Sequence, residues 1–211
     1  MPRLRQVPRA ELTDPLTKSV YQNLFGDRDP VAQPGTAMGT PGHWWTVLAQ
    51  TPHVLQQFVM LSRMYMGDQM HLDPRLRELG QTRAGWLNGC QFVYSQHCKM
   101  SRTVGLTDQQ IDAVKEWPVA TCFDERERVV LAYVDCLVSQ RGRVPEGIFE
   151  ALRSHLSEPA IIELTYVVCA YDGFSVLTKA LRLEFDDRDD ATIEVAAPES
   201  YEGGTFMGEV R

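Results

Sequence analysis

An all-α fold is what this sequence predicts, and three observations carry the prediction. The convincing apolar segments repeat at i, i+3 and i+4, the spacing of one helix face. Strand-type alternation never runs beyond three or four residues. Helix-start signals recur along the chain, at Asp14-Pro15, Asp73-Pro74, Thr107-Asp108, Asp124-Glu125 and Ser157-Glu158-Pro159. At 211 residues the chain is long enough for one domain with a sizeable core and short for two. A single-domain helical bundle of about seven or eight helices is expected.

Taken in order, residues 1–42 are rich in proline, glycine and charge and read as an arm with one short helix, from the Asp14 cap to Phe25. In an oligomer such an arm could lie on a neighbour. Residues 43–185 form the helical domain. A helix from His43 through Trp44 and Trp45 ends near Gln50, and Pro52 restarts the chain as a second, with Val54, Leu55, Phe58 and Val59 inward. Asp73-Pro74 opens the next, and Asn88-Gly89 breaks it. Cys90 then falls in the first turn of a helix that Gly105 closes. Thr107 through Gln110 reads as a capping box. Further helices begin at Asp124, at Pro145 and at Ser157, the last running to about Phe185. Residues 186–211 are acidic and then glycine-rich, an extended tail.

Composition excludes several functions. A net charge of −7 argues against nucleic acid, whose phosphates require surplus Lys and Arg. The longest apolar run, Ala160 to Leu183, carries Glu163, Asp172 and Lys179, which suits a buried soluble helix better than a membrane span. The N-terminus has arginines but no apolar stretch of the signal-peptide kind. Five cysteines, an odd number, fit reduced thiols in a cytoplasm, with Cys122, Cys136 and Cys169 as packing residues.

The chemistry concentrates between Glu78 and Gly105. Cys90 and His97 stand seven residues apart, so on one helix they share a face about 10 Å apart. A proton can pass between them through an intervening water or substrate atom. A thiol at a helix start feels the positive end of the helix dipole, which favours thiolate. Each residue also has an ordinary reading: Cys90 as packing, His97 as a core imidazole, Glu78 as a surface carboxylate paired with Arg75 or Arg83. Arg83 and Tyr94 are candidate substrate-binding residues, Arg83 because a desolvated anion needs a counter-charge; Arg83 could equally pair with an acid of its own fold. Trp44, Trp45, Trp86, Phe92, Met64 and Met66 could line an aromatic-tolerant pocket or simply fill the core.

Glutamate, twelve residues to cysteine and seven more to histidine resembles the signature of the carboxymuconolactone decarboxylase and alkylhydroperoxidase D-like (AhpD-like) family. The resemblance covers roughly His43 to Asp187. It implies the AhpD-like helical fold and a homo-oligomer, trimer or hexamer. The peroxidase branch carries Cys-x-x-Cys, and its second cysteine falls here on Val93. Cys98 does not replace it: on one helix it lies about 12 Å from Cys90 along the axis and about 80° off its face, and a disulfide needs Cα atoms within about 7 Å.

The resemblance therefore implies a cofactor-independent enzyme that moves protons on a small organic acid or lactone. In it His97 is general acid or base, Glu78 tunes and orients it, and Cys90 is a proton donor or polar contact. A thiol-dependent peroxidase using Cys90 is the alternative, and a non-catalytic binding or assembly protein is the third. Glu78, Cys90 and His97 are suitable zinc ligands by type, but no C-x-x-C or H-x-x-x-H anchors a metal, and none is expected.

Overall fold

The computed structural model describes residues 1–67, 69–187, 191–199 and 201. Among the described residues it contains nine α-helices: α1 (Pro15–Phe25), α2 (His43–Leu48), α3 (Pro52–Met66), α4 (Pro74–Leu87), α5 (Gln91–Thr103), α6 (Asp108–Ala113), α7 (Glu125–Val138), α8 (Glu146–His155) and α9 (Glu158–Leu181). The fold is all-α, as the periodicity predicts. The count exceeds the expected seven or eight, and the shortest two, α2 and α6, have six residues each. Contacts group this helical domain into two compact units.

The first unit comprises residues 1–69, 178–189 and 195–211, of which 68, 188, 189, 200 and 202–211 lie outside the described residues. Asp14 caps α1 by accepting the Thr17 N–H at 2.8 Å. The preceding segment does not need a neighbour to lie on. The Val7 N–H donates to the Thr46 carbonyl at 2.9 Å, and the Tyr21 hydroxyl donates to the Val7 carbonyl at 2.7 Å. Trp44 and Trp45 both pack edge-on against Phe58. The start of α2, which has no side-chain cap of its own, is held by the buried Glu184, whose carboxylate accepts the Gly42 and Trp44 N–H groups at 3.0 and 2.7 Å. α9 stops at Leu181, short of the expected Phe185, because Arg182 and Glu184 take left-handed φ values of 54° and 53°.

The second unit, residues 70–177 and 190–194, of which 190 lies outside the described residues, holds α4 to α8 and most of α9. α4 is central: residues 76–85 are all buried. Leu76 and Ala84 join α7, α8 and α9 in one apolar cluster, while Leu79 joins Tyr94, Cys98, Ile111 and Leu131 in another. Both predicted N-terminal signals of the middle helices are capping boxes, Thr107 with Gln110 and Asp124 with Glu127. Arg75 of α4 ties the two together, donating to Glu127 at 2.9 Å and to Gln110 at 2.8 Å.

α9 is long and apolar enough, by length and composition, to cross a membrane. Its charges are engaged: Glu163 accepts the His71 and Leu72 N–H groups at 2.8 and 2.7 Å, and Asp172 pairs with Arg141 at 3.2 Å.

Candidate active site

The site is built on the connection between α4 and α5, which are antiparallel neighbours joined by Asn88, Gly89 and Cys90. α4 ends in a Schellman motif. Gly89 takes a φ of 59°, its N–H donates to the Trp86 carbonyl at 2.9 Å, and the Cys90 N–H donates to the Gly85 carbonyl at 3.0 Å. Cys90 is not in the first turn of α5, as expected, but one residue earlier. It is the N-cap itself, and its Sγ accepts the Val93 N–H at 3.5 Å. One fully buried cysteine thus closes one helix through its amide and opens the next through its sulfur.

The helices touch backbone to backbone at Gly85. A Cβ added there would lie 2.7 Å from the Tyr94 nitrogen, so only glycine permits this approach. Close crossing brings Glu78 of α4 onto His97 of α5: Glu78 Oε2 and His97 Nδ1 are 2.7 Å apart. The second carboxylate oxygen accepts from Arg77, Nη2 at 2.9 Å and Nε at 3.2 Å. Glu78 is 1% exposed and His97 6%. Burial by itself pushes the Glu78 carboxyl up. The charge and hydrogen bond of His97, and those of Arg77, outweigh it and hold the group below the usual carboxylate range. The His97 ring meets Tyr171 of α9 edge-on, centroids 4.5 Å apart.

Such an arrangement fixes the imidazole. With Nδ1–H donated to an ionised glutamate, Nε2 is the nitrogen left to exchange a proton with a reactant. Cys90, the N-cap of α5, stands seven residues before His97, about 10 Å back along an ideal helix axis. Among the described residues no group of three or more His, Cys, Asp or Glu side chains could hold a metal ion.

The other sequence candidates sit elsewhere. Arg83 is bidentate to Asp135 at 2.6 and 3.0 Å and donates to the Val114 and Lys115 carbonyls, the pairing within its own fold that competes with anion binding. Tyr94 is buried beside Trp86 in the cluster around Leu79, with Cys98, whose thiol burial pushes up to about 12. Glu78 pairs with neither Arg75 nor Arg83; its partner is Arg77. That partner escapes sequence reasoning because adjacent helix residues point about 100° apart, and only a long guanidinium turns back far enough. Tyr171 is 74 positions from His97 and gives no local signal. Cys136 is buried as expected, but Cys169 is exposed on α9.

Residues 52–135 match the model of the carboxymuconolactone decarboxylase family. The matched segment contains Glu78 and His97, on the two crossing helices, and Cys90 where they join. Over that segment the chain is similar to the carboxymuconolactone decarboxylase/AhpD-like family. Similar proteins include the uncharacterized protein YdfG of Bacillus subtilis (strain 168), 22% identical over 58% of this chain and 84% of that protein. Another is the uncharacterized YnjA of Escherichia coli (strain K12), 25% identical over 61% of this chain and 69% of its own length. Among solved structures, a protein of unknown function from Agrobacterium tumefaciens, suggested to be the antioxidant defence protein AhpD, is 26% identical. It covers 70% of this chain and 96% of its own, with a TM-score of 0.59. The fold is shared at a TM-score of 0.70 with an uncharacterized peroxidase-related protein from Ralstonia eutropha JMP134, an alkylhydroperoxidase AhpD core, at 16% identity over 86% of this chain and 90% of that one. The debrominase Bmp8, solved as a cysteine-to-alanine variant with 2,3,4-tribromopyrrole, shares it at 0.63, with 16% identity over 84% of this chain and 87% of that one.

Proposed function

We propose that this protein is an enzyme that moves a proton on a small organic acid or lactone without a cofactor, in the manner of a carboxymuconolactone decarboxylase. The observation that carries the reading is the buried Glu78–His97 pair at 2.7 Å, its glutamate kept ionised by His97 and, after it, by Arg77. In a decarboxylation the carboxylate leaves as CO2, its bonding electrons stay on carbon, and the His97 imidazolium delivers the proton that quenches them. Glu78 stabilises the imidazolium while it exists, a charge-assisted contact in a dry site. Cys90 offers a polar contact at the N-cap of the same helix. Release of CO2 from a panel of small carboxylic acids and lactones tests this. The His97→Ala variant should lose at least roughly a hundredfold, and undiminished turnover removes the mechanism.

A second reading rests on one observation, the Val93 N–H aimed at the Cys90 sulfur at the start of α5, an arrangement that favours thiolate. Cys90 would then attack a peroxide, forming a sulfenic acid and releasing an alcohol, and an external small thiol would reduce it, because Val93 stands where a resolving cysteine would be. Peroxide consumption dependent on Cys90 supports this reading; a Cys90 that reacts no faster than a free thiol ends it.

Homo-oligomerisation belongs to the same proposal. Ile162, Tyr166 and Val176, 69%, 56% and 56% exposed, fall on one face of α9, an apolar stripe suited to a second copy of the chain. Light scattering should give a trimer or hexamer that Ile162→Asp dissociates. A monomeric wild type refutes it. A cytoplasmic location, proposed from the five free thiols, is checked by fractionation.

A further inference from the structure

Gln81 is fully buried on α4, and among the described residues neither its Oε1 nor its Nε2 has a hydrogen-bond partner. Leaving a carboxamide dry and unpaired is costly, and an apolar residue of the same shape would serve packing better. Its direction is defined by its neighbours. Taking about 100° per residue and Glu78 as zero, Gly85 points near about −20°, Gln81 near about −60° and Gly80 near about −160°. The Gly85 direction meets α5, at Tyr94, and the Gly80 direction meets α9, at Leu164 and Val168. Gln81 therefore projects into the sector between α5 and α9. Those same two helices converge where the His97 ring meets Tyr171.

We infer that Gln81 is a binding residue of the Glu78–His97 site, whose carboxamide N–H donates to an oxygen on the carbonyl carbon of the reactant. The inference rests on the proposed proton-transfer reading for its choice of ligand, since organic acids and lactones share that oxygen. Beyond that reading it assigns the group that holds the reactant, a role expected from the sequence of Arg83 and Tyr94. The neutral amide suits this place. Arg77 and Glu78 already cancel in charge, so a further cation would compete with His97 for the glutamate, whereas an amide binds the oxygen and leaves the pair intact.

The test uses the full-length protein with two probes, acetate for the acid and γ-butyrolactone for the lactone, followed by NMR of the glutamine side-chain amides and the histidine ring. In the wild type the Gln81 carboxamide signal should move with probe concentration. Gln81→Leu should bind acetate roughly tenfold to a hundredfold more weakly, and the neutral lactone about twofold to tenfold. Its melting temperature should equal or exceed that of the wild type, because an unpaired dry amide has been replaced by apolar atoms. Gln81→Asn, which keeps the chemistry but shortens the reach, should fall between. Equal affinity in Gln81→Leu, a carboxamide signal that stays still, or no binding of either probe by the wild type overturns the assignment. A Gln81→Leu protein that melts lower while binding normally makes Gln81 a packing residue and leaves the His97 mechanism standing. A probe that shifts Gln81 in a protein whose His97→Ala variant turns over normally does the reverse, upholding the assignment without the mechanism.

Discussion

Replacing Glu78 by glutamine isolates the interaction that the whole site depends on. Glu78, Arg77 and His97 are 1%, 7% and 6% exposed, so solvent screens their contacts little. The substitution leaves the Arg77 guanidinium with a neutral amide in place of a carboxylate at 2.9 Å, and it removes the ionised acceptor 2.7 Å from His97. Breaking a buried pair on one side costs about 3–5 kcal/mol. In a chain of this size that is a fall in melting temperature of roughly 6–20 °C. Calorimetry across pH adds a sign. A carboxyl held below its ordinary range in the folded state contributes stability above the unfolded value near 4.5, and that stability is lost as pH falls through the folded value. The wild type should therefore lose its advantage over Glu78→Gln on acidification below about pH 4.5. A double-mutant cycle with Arg77→Met should return a coupling of at least about 1 kcal/mol. A Glu78→Gln protein within about 0.5 kcal/mol of wild type at neutral pH, with no difference in acid dependence, would refute the argument.

The remaining predictions test the frame around the site. Glu184 behaves oppositely to Glu78: burial pushes it up to about 7, so the folded state holds a proton that the unfolded state releases, and stability falls as pH rises from about 4.5 to 7. Linkage sets an upper bound of about 3 kcal/mol, and Glu184→Gln should flatten that part of the curve; an unchanged slope counts against it. Gly85→Ala forces a Cβ against the Tyr94 backbone at 2.7 Å, which should cost about 1–3 kcal/mol in urea unfolding and reduce turnover with it, whereas a neutral effect denies the close crossing. Arg83→Lys gives up the bidentate contact with Asp135 and should lower the melting temperature while leaving acetate affinity unchanged; weaker acetate binding at full stability would return Arg83 to the substrate.

What is legible in the sequence is local. Caps at Asp14, Asp73, Thr107 and Asp124 and the break at Gly89 are each decided within four or five residues, and the structure places them as read. The Glu78–His97 contact is legible through motif spacing, not through any local rule, because 19 positions separate the two residues. What stays hidden depends on crossings between distant elements. Tyr171 arrives on α9, Arg77 turns back on itself, Glu184 returns to cap α2 from 140 positions away, and Arg83 finds Asp135 on α7. The stop of α9 at Leu181 is hidden too, because left-handed φ at an arginine and a glutamate has no sequence signal of the kind glycine supplies.

α4 shows why polarity inside this core is a functional clue. A helix buried on every side is ordinarily apolar all round, yet this one carries Arg77, Glu78, Gln81, Thr82 and Arg83 within its buried stretch. Four of the five are matched: Arg77 and Glu78 with each other, Glu78 also with His97, Thr82 with Ser101 at 3.1 Å and with the Glu78 carbonyl, and Arg83 with Asp135. Matched pairs of this kind add little net stability over apolar packing, so stability alone does not account for them. Three of them fix orientation at the crossing with α5, and the fourth anchors the opposite face. Gln81 is the exception, and it lies on the side where α5 and α9 converge. A design in which Arg83 of α4 and Asp135 of α7 become apolar should keep the fold and the proposed proton-transfer activity. The same treatment of Arg77 and Glu78 should keep the fold and abolish turnover. If both designs lost turnover equally while staying folded, the polarity of α4 would be serving its packing as a whole, and the division between anchoring face and reacting face would fail.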